Sequence, residues 1–370
     1  MAEEEKQYGV GETGPETSIA APDLPYRPGR PASYRPAIGL VGCGGISEMH
    51  LKAYKKAGYN VVALCSRDEG RLQARREEFF PEAAAYRDYT DLLARDDLEV
   101  VDLTPHPEDR LPMIDLALER GKHVLSQKPF VVDLDEGERL ADKAAAQGLR
   151  LAVNQNGRWA PHFSYMRQAV GAGAVGRVNS VDLSVHWDHG WIAETPFNEV
   201  GHLVLYDFGI HWFDMVNAFM AGRRARSVYA TEARATGQEA KPPFLAQVAI
   251  AYEDAQATLV FNAATSVGQE DRSFVAGTEG AVASVGPDLQ RQDVTLYTAA
   301  GRAKPVLDGT WFEEGFEGAM AELLCAVEEG REPGNGASGN LESLALCFAA
   351  VASARSGEAV SPGSVRRLPV

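Results

Sequence analysis

Three short stretches of the chain carry residue types at spacings that could do chemistry. The first, Gly42-Cys43-Gly44-Gly45-Ile46-Ser47, follows the apolar run Ala37 to Val41 and opens a helical pattern from about Ile46 to Lys56. A glycine turn between a strand and a helix is the arrangement that receives a dinucleotide. Gly42 permits the tight turn, Gly44 lets the backbone approach a pyrophosphate, and from Gly45 and Ile46 onward free N–H groups and a positive dipole end face the phosphates. The end of the second strand, Cys65-Ser66-Arg67-Asp68, bears on the choice of cofactor. An acidic side chain there would take the adenosine ribose hydroxyls of NAD. Ser66 is small and neutral, whereas Arg67 can pair with a 2′-phosphate and stack on adenine, so NADP(H) is favoured. NAD(H), with Asp68 reaching the ribose, is the alternative. The second stretch is Lys128, which follows the strand pattern His123 to Ser126 and so emerges at the carboxyl edge of a parallel sheet, where ligands bind. The third is Asp207 with His211 four residues on; on a helix the two share one face, a carboxylate for hydroxyl groups beside an imidazole that can act as base.

The elements that must position these residues are legible as two textures. From Ala37 to Val153, short apolar runs alternate with amphipathic stretches, which reads as β-α-β units in a doubly wound parallel sheet of Rossmann type. From Asn154 to Val370 the strands lengthen and alternate with period two, as in Val181, Leu183, Val185 and Trp187, which predicts an α+β domain with a large, mostly antiparallel open sheet. Helical patterns near Phe312 to Glu329 and Leu341 to Ser356 end at Gly330 and Gly357. Residues 1–36 are Pro-rich and form an arm, either a disordered leader or a segment docked through Ile19, Leu24, Tyr26 and Tyr34.

Composition narrows the function. A formal charge of −16 should repel phosphate backbones and anionic membrane surfaces, so neither nucleic acid nor membrane is an expected partner. No run approaches the roughly 20 apolar residues that span a bilayer, and a cytoplasmic location is expected. Four scattered cysteines predict buried thiols rather than disulfides. Four of the eight histidines, His186, His189, His202 and His211, lie near Trp187, Trp191 and Trp212, which suits a polar pocket with aromatic walls for a sugar or cyclitol ring. His189, His202, Asp207 and His211 are metal-ligand types, but their spacing matches no metal template and no metal is expected.

With these motifs in place, the chain from Ala37 to Val370 resembles the Gfo/Idh/MocA oxidoreductases, the glucose-fructose oxidoreductase and inositol dehydrogenase group. The glycine turn, Gly121-Lys122-His123-Val124-Leu125-Ser126-Gln127-Lys128-Pro129, and Leu205-Tyr206-Asp207-Phe208-Gly209-Ile210-His211 carry the likeness. The resemblance implies hydride exchange between a nicotinamide cofactor and a secondary hydroxyl or ketone of a sugar, sugar derivative or cyclitol. It gives Lys128 contacts to the substrate oxygen and the nicotinamide ribose, with Asp207 orienting and His211 exchanging the proton. Thr104 and Pro105 carry over as cofactor contacts, and Asn156 and Arg158, with Trp187 and His189, are lesser candidates for substrate binding. Gln127 departs from the family's glutamate, so Lys128 loses a possible carboxylate neighbour at that position. Two rival readings are a redox-neutral sugar-modifying enzyme with buried cofactor, and a non-catalytic NADP-dependent redox sensor. A homo-oligomer, dimer or tetramer, is expected from an exposed sheet face.

Overall fold

Strands such as Ala37–Val41, apolar on both faces, are stable only inside a sheet covered on both sides, and the computed structural model places them there. It describes residues 17–369 apart from Ala221. Six parallel strands, β1 (Ala37–Val41), β2 (Val61–Cys65), β3 (Ala84–Tyr86), β4 (Leu98–Leu103), β5 (His123–Ser126) and β6 (Leu151–Val153), lie in the order β3-β2-β1-β4-β5-β6. The order reverses between β1 and β4, and a crevice opens beyond the carboxyl ends of strands at such a switch point. Helices α1 (Ser47–Ala57), α2 (Glu69–Phe79), α3 (Tyr89–Leu93), α4 (Pro107–Glu119) and α5 (Leu134–Ala146) connect these strands.

The second sheet has eight strands: β7 (Val178–His186), β8 (Ser227–Ala233), β9 (Leu245–Ala251), β10 (Gln256–Asn262), β11 (Glu270–Gly277), β12 (Gly280–Asp288), β13 (Arg291–Thr298) and β14 (Gly301–Ala303). Their order is β14-β13-β12-β11-β7-β10-β9-β8, and every pair is antiparallel except β7 with β10. One face is buried and the other open, as the alternation in β9 shows. Helices α6 (Pro161–Gly171), α7 (Ile210–Met220), α8 (Trp311–Glu329) and α9 (Ala337–Ser356) complete the chain. Thus the α/β class and both sheets match the expectation from patterning.

Several elements escaped that patterning. Helix α2 is charged nearly all round and buries only Leu72 and Phe79, so it has no apolar stripe to read. Strands β12 to β14 carry Gly, Ser, Asp and Pro among few apolar residues. Another expectation needs correction, since α9 is long and apolar enough to cross a membrane by length and composition. In the fold it is a core helix: Leu344, Cys347, Phe348 and Val351 are fully buried. Both α8 and α9, encoded after the second sheet, pack against elements of the first half, α8 on α1 and α9 on α5 and β6.

The arm from Thr17 onward is docked on its own chain. Arg302 N–H donates to the Thr17 carbonyl at 2.8 Å and Ile19 N–H to the Arg302 carbonyl at 3.0 Å. Tyr26 packs edge-on against Tyr165, and Glu328 accepts the N–H groups of Ala32, Ser33 and Tyr34 at 2.6, 2.6 and 2.8 Å. The Ser33 hydroxyl, donating to the same carboxylate at 2.7 Å, together with these N–H groups holds the Glu328 pKa down to about 2. Residues 1–16 lie outside the described residues.

Asp271 of β11 is fully buried, and neither carboxylate oxygen has a protein hydrogen-bond partner. Desolvation, with a smaller contribution from Asp288, pushes its pKa up to about 8. A carboxyl whose folded pKa lies above its unfolded value favours folding at low pH and loses that contribution as pH rises towards the folded value. Asp271→Asn should therefore gain stability over the native protein as pH rises from about 4 to about 8, on the order of 5 kcal/mol at the upper end. Thermal unfolding of both proteins across this range checks it; a difference independent of pH would contradict the assignment.

Candidate active site

Gly42 turns the chain out of β1 with φ +95°, and a Cβ there would lie 2.5 Å from Thr104 Oγ1. Thr104 in turn donates to the carbonyls of Val41 and Gly42 at 3.0 and 2.8 Å. The turn is thus fixed from within, with Pro105 against it. Gly44 and Gly45 differ, because a Cβ at either would meet nothing within 4 Å. The protein's own packing does not demand glycine there; the open space, together with an α1 start that lacks a side-chain cap, fits a phosphate group approaching the backbone. At the end of β2, Arg67 extends into solvent with its guanidinium 3.3 Å from Asp109. Ser66 Oγ accepts the Asp68 N–H, and Asp68 caps α2 by accepting the Arg71 N–H at 3.0 Å. The Asp68 carboxylate therefore has employment within the protein.

Buried Arg110 donates to the carbonyls of Pro105 and Pro129, tying the loops after β4 and β5 together. Desolvation lowers its pKa to about 10. Lys128 leaves β5 between these loops. Its Nζ donates to the Asp207 carbonyl at 2.8 Å and to Asp207 Oδ2 at 3.2 Å. The carboxylate beside Lys128 comes from the other half of the chain. Asp207, in the π-helical turn Val204–Phe208 that precedes α7, spends its carboxylate and carbonyl on Lys128 and is not among the groups lining the cavity, which corrects its reading as a ligand for substrate hydroxyls. Gly209 sits at the junction, where a Cβ would lie 2.6 Å from the Leu205 carbonyl oxygen.

Lys128 and His211 open into one cavity of about 390 Å³. Ile46 from the glycine turn, Gln127 and Asn156 contribute from the first half and its boundary. Trp187, His189, Phe208 and Trp212 form an aromatic wall, with His189 stacked on Trp187 at 5.2 Å and 20°. Asp188, Gln269, Asp288, Leu289 and Gln290 come from around the second sheet, and Trp311, Phe312 and Phe316 from the start of α8. Trp311 meets His211 edge-on at 5.7 Å. Burial and the Lys128 charge push the His211 pKa well below the ordinary histidine value, and Nδ1 is sealed without a protein partner. His189 is likewise pushed down to about 4 by burial.

Other candidates fall elsewhere. Arg158 is corrected as a substrate ligand: its guanidinium is bound to Asp214 at 2.5 and 2.8 Å and to the Gly334 carbonyl, away from the cavity. His202 pairs with Glu232 at 2.7 Å. Among the described residues no group of three His, Cys, Asp or Glu is placed to share a metal ion. None of the arm's described residues lines the cavity. Sequence reasoning missed Gln127 as a lining group, Phe208, and the Trp311-Phe312-Phe316 cluster, whose aromatic spacing reads equally well as core.

Comparison with known proteins adds to this geometry. Residues 37–155 match the family described as an oxidoreductase family with an NAD-binding Rossmann fold, and residues 163–283 match the GFO/IDH/MocA C-terminal domain. D-apiose dehydrogenase of Paraburkholderia graminis is 27% identical over 87% of this chain and 88% of that protein. Inositol 2-dehydrogenase of Rhizobium meliloti is 25% identical over 85% of this chain and 96% of its own. An oxidoreductase from Agrobacterium radiobacter, solved with NAD+, L-tartaric acid and magnesium, shares the fold with a TM-score of 0.79 at 21% identity, covering 90% of this chain and 99% of that one.

The two kinds of glycine should respond differently to alanine. Gly42→Ala meets both the positive φ and Thr104, and should destabilise by about 1–3 kcal/mol. Gly44→Ala should leave the melting temperature unchanged while weakening nicotinamide dinucleotide binding at least about tenfold. Parallel thermal melts and cofactor titrations measure both; equal losses of stability would remove the distinction.

Proposed function

Because the chain belongs to the Gfo/Idh/MocA oxidoreductase family, we propose that it exchanges a hydride between a nicotinamide cofactor and a secondary hydroxyl or ketone of a sugar, sugar derivative or cyclitol. The observation that carries this reading is that Lys128, His211 and Ile46 of the glycine turn border the same cavity. Gly42, Gly44, Gly45 and Ile46 would hold the pyrophosphate, with Thr104 and Pro105 keeping the turn in shape. When bound, the nicotinamide supplies the hydride donor or acceptor.

The protein's own groups handle the proton and the ring. Lys128 Nζ, oriented by its two bonds to Asp207, directs its remaining N–H to the reacting oxygen. His211, held neutral by burial and by the neighbouring ammonium, takes the hydroxyl proton at Nε2, the nitrogen left when Nδ1 is sealed. The aromatic wall stacks on the apolar face of the ring while Asn156, His189 and Gln290 offer polar partners. Apiose and inositol, for whose oxidation two relatives are named, are compact polyhydroxylated molecules that suit such a cavity. NADP(H) is the preferred cofactor, since Arg67 is extended at the end of β2 while Asp68 is engaged in capping. The open face of the second sheet, with Tyr229 and Phe274 exposed, is the surface for a homo-oligomer.

His211→Ala should lower kcat about 10²- to 10⁴-fold and leave the cofactor Kd within about twofold. A depressed pKa means that the base form persists as pH falls, so kcat/KM of the native enzyme should stay flat through pH 6.5 and drop only below it. Turnover of a sugar and cyclitol panel with NADP+ measures both, and full activity of His211→Ala would remove it from the mechanism. Arg67→Ser should raise KM for NADP+ about tenfold with little change for NAD+; a native enzyme that prefers NAD+ would overturn the cofactor assignment.

A further inference from the structure

Behind Lys128 lies a buried polar cluster that the reading above leaves unused. His50 and Tyr54 of α1, Asp102 of β4, Gln127 after β5 and Asn154 after β6 meet there, with Gln127 5% exposed and the others fully buried. Gln127 also reaches the cavity, and Asp102 Oδ1 and Asn154 Oδ1 are left without a protein partner, but the remaining polar atoms bond to one another and the direction of each bond carries information.

One group that can only donate, the Lys128 backbone N–H, sets the whole order. Gln127 Oε1 accepts it at 2.6 Å, which turns Gln127 Nε2 toward His50 Nε2, 3.3 Å away. Asn154 Nδ2 lies 3.3 Å from the same imidazole nitrogen and 3.3 Å from Gln127 Oε1. With two amide donors facing it, His50 Nε2 is a bare acceptor and the ring proton resides on Nδ1. Nδ1–H donates to Asp102 Oδ2 at 2.7 Å, and the Tyr54 hydroxyl donates to that same oxygen at 2.7 Å. From α8, His50 meets only an apolar group, the Phe316 ring, at 4.4 Å.

We propose that Gln127 is a positioning residue for Lys128. It anchors the Lys128 main chain to Asp102 through His50, and it does so with a neutral side chain that keeps His50 in its Nδ1–H form. This rests on the reading of Lys128 as the group that binds the reacting oxygen. Glutamate at 127 could accept the same Lys128 N–H, but a carboxylate offers no donor to His50 Nε2. His50 or the new carboxyl must then take up a proton, and the space behind Lys128 acquires a titration that the native chain lacks.

The test combines spectroscopy with kinetics on the full-length protein. Nitrogen-15 spectra of histidine-labelled native protein should show one imidazole fixed as the neutral Nδ1–H tautomer, assigned by its loss in His50→Gln. Gln127→Glu should convert that signal to imidazolium or make it titrate. It should also add an ionisation to the kcat/KM pH profile and lower kcat about tenfold. In the double variant Gln127→Glu with His50→Gln, the amide can donate to the carboxylate, so the added ionisation should vanish and kcat recover to within about threefold of native. A merely structural Gln127 would not move the pH profile. A Gln127→Glu profile that superimposes on the native one, or a His50 proton found on Nε2, overturns the proposal while an inactive Lys128→Met leaves the role of Lys128 standing. An active Lys128→Met overturns both.

Discussion

The ion pair between Lys128 and Asp207 is the constraint on which the site is built. One partner leaves the carboxyl end of β5 in the parallel sheet; the other sits in the π-helical turn ahead of α7. With side chains only 17% and 18% exposed, the pair is shielded enough to resist salt screening, yet near enough to the cavity to escape the full cost of desolvation. The Asp207 carbonyl takes a second ammonium proton, so the lysine is held in direction as well as in place. Because two segments distant in the chain are joined here, the aromatic wall and His211 carried by one half close over Lys128 and the glycine turn carried by the other.

Around this pair the protein tolerates arrangements that packing alone would not select. His211 Nδ1, His189 Nδ1 and Trp212 Nε1 are buried without protein partners, as are Asp271, Ser273 and Ser284 on the second sheet. Regular structure compensates nearby. Arg110 crosses under the loops after β4 and β5, and Thr104 locks the glycine turn, so that the carboxyl edge of the parallel sheet is bonded at several points.

Much of this could be read from the residues, and the failures have physical causes. The glycine turn was legible because strand, turn and helix follow one another within a dozen positions, and the two sheets because period and composition change near Asn154. Asp207 was read as free for substrate hydroxyls because the ammonium it binds, Lys128, lies 79 residues away in the chain. Arg158 looked available because its partner, Asp214, is distant in sequence, and no local spacing announces such a pairing. The Trp311, Phe312 and Phe316 cluster was visible as aromatic residues at a helix start, but an apolar side chain has the same signature in a core as in a cavity wall.

The course of α9 has a consequence for how the chain acquires its shape. This helix, close to the carboxyl end, packs on α5 and β6 of the first half and on α7 and β8 of the second, and the chain beyond it adds an antiparallel bridge from Val360 to Val228. A nascent polypeptide halted before Gly336 would therefore leave greasy undersides of both halves uncovered on the ribosome. Vectorial synthesis gives the amino-terminal portion a head start, but final consolidation waits for the last turns to clear the exit tunnel, and chaperone demand should peak in that interval.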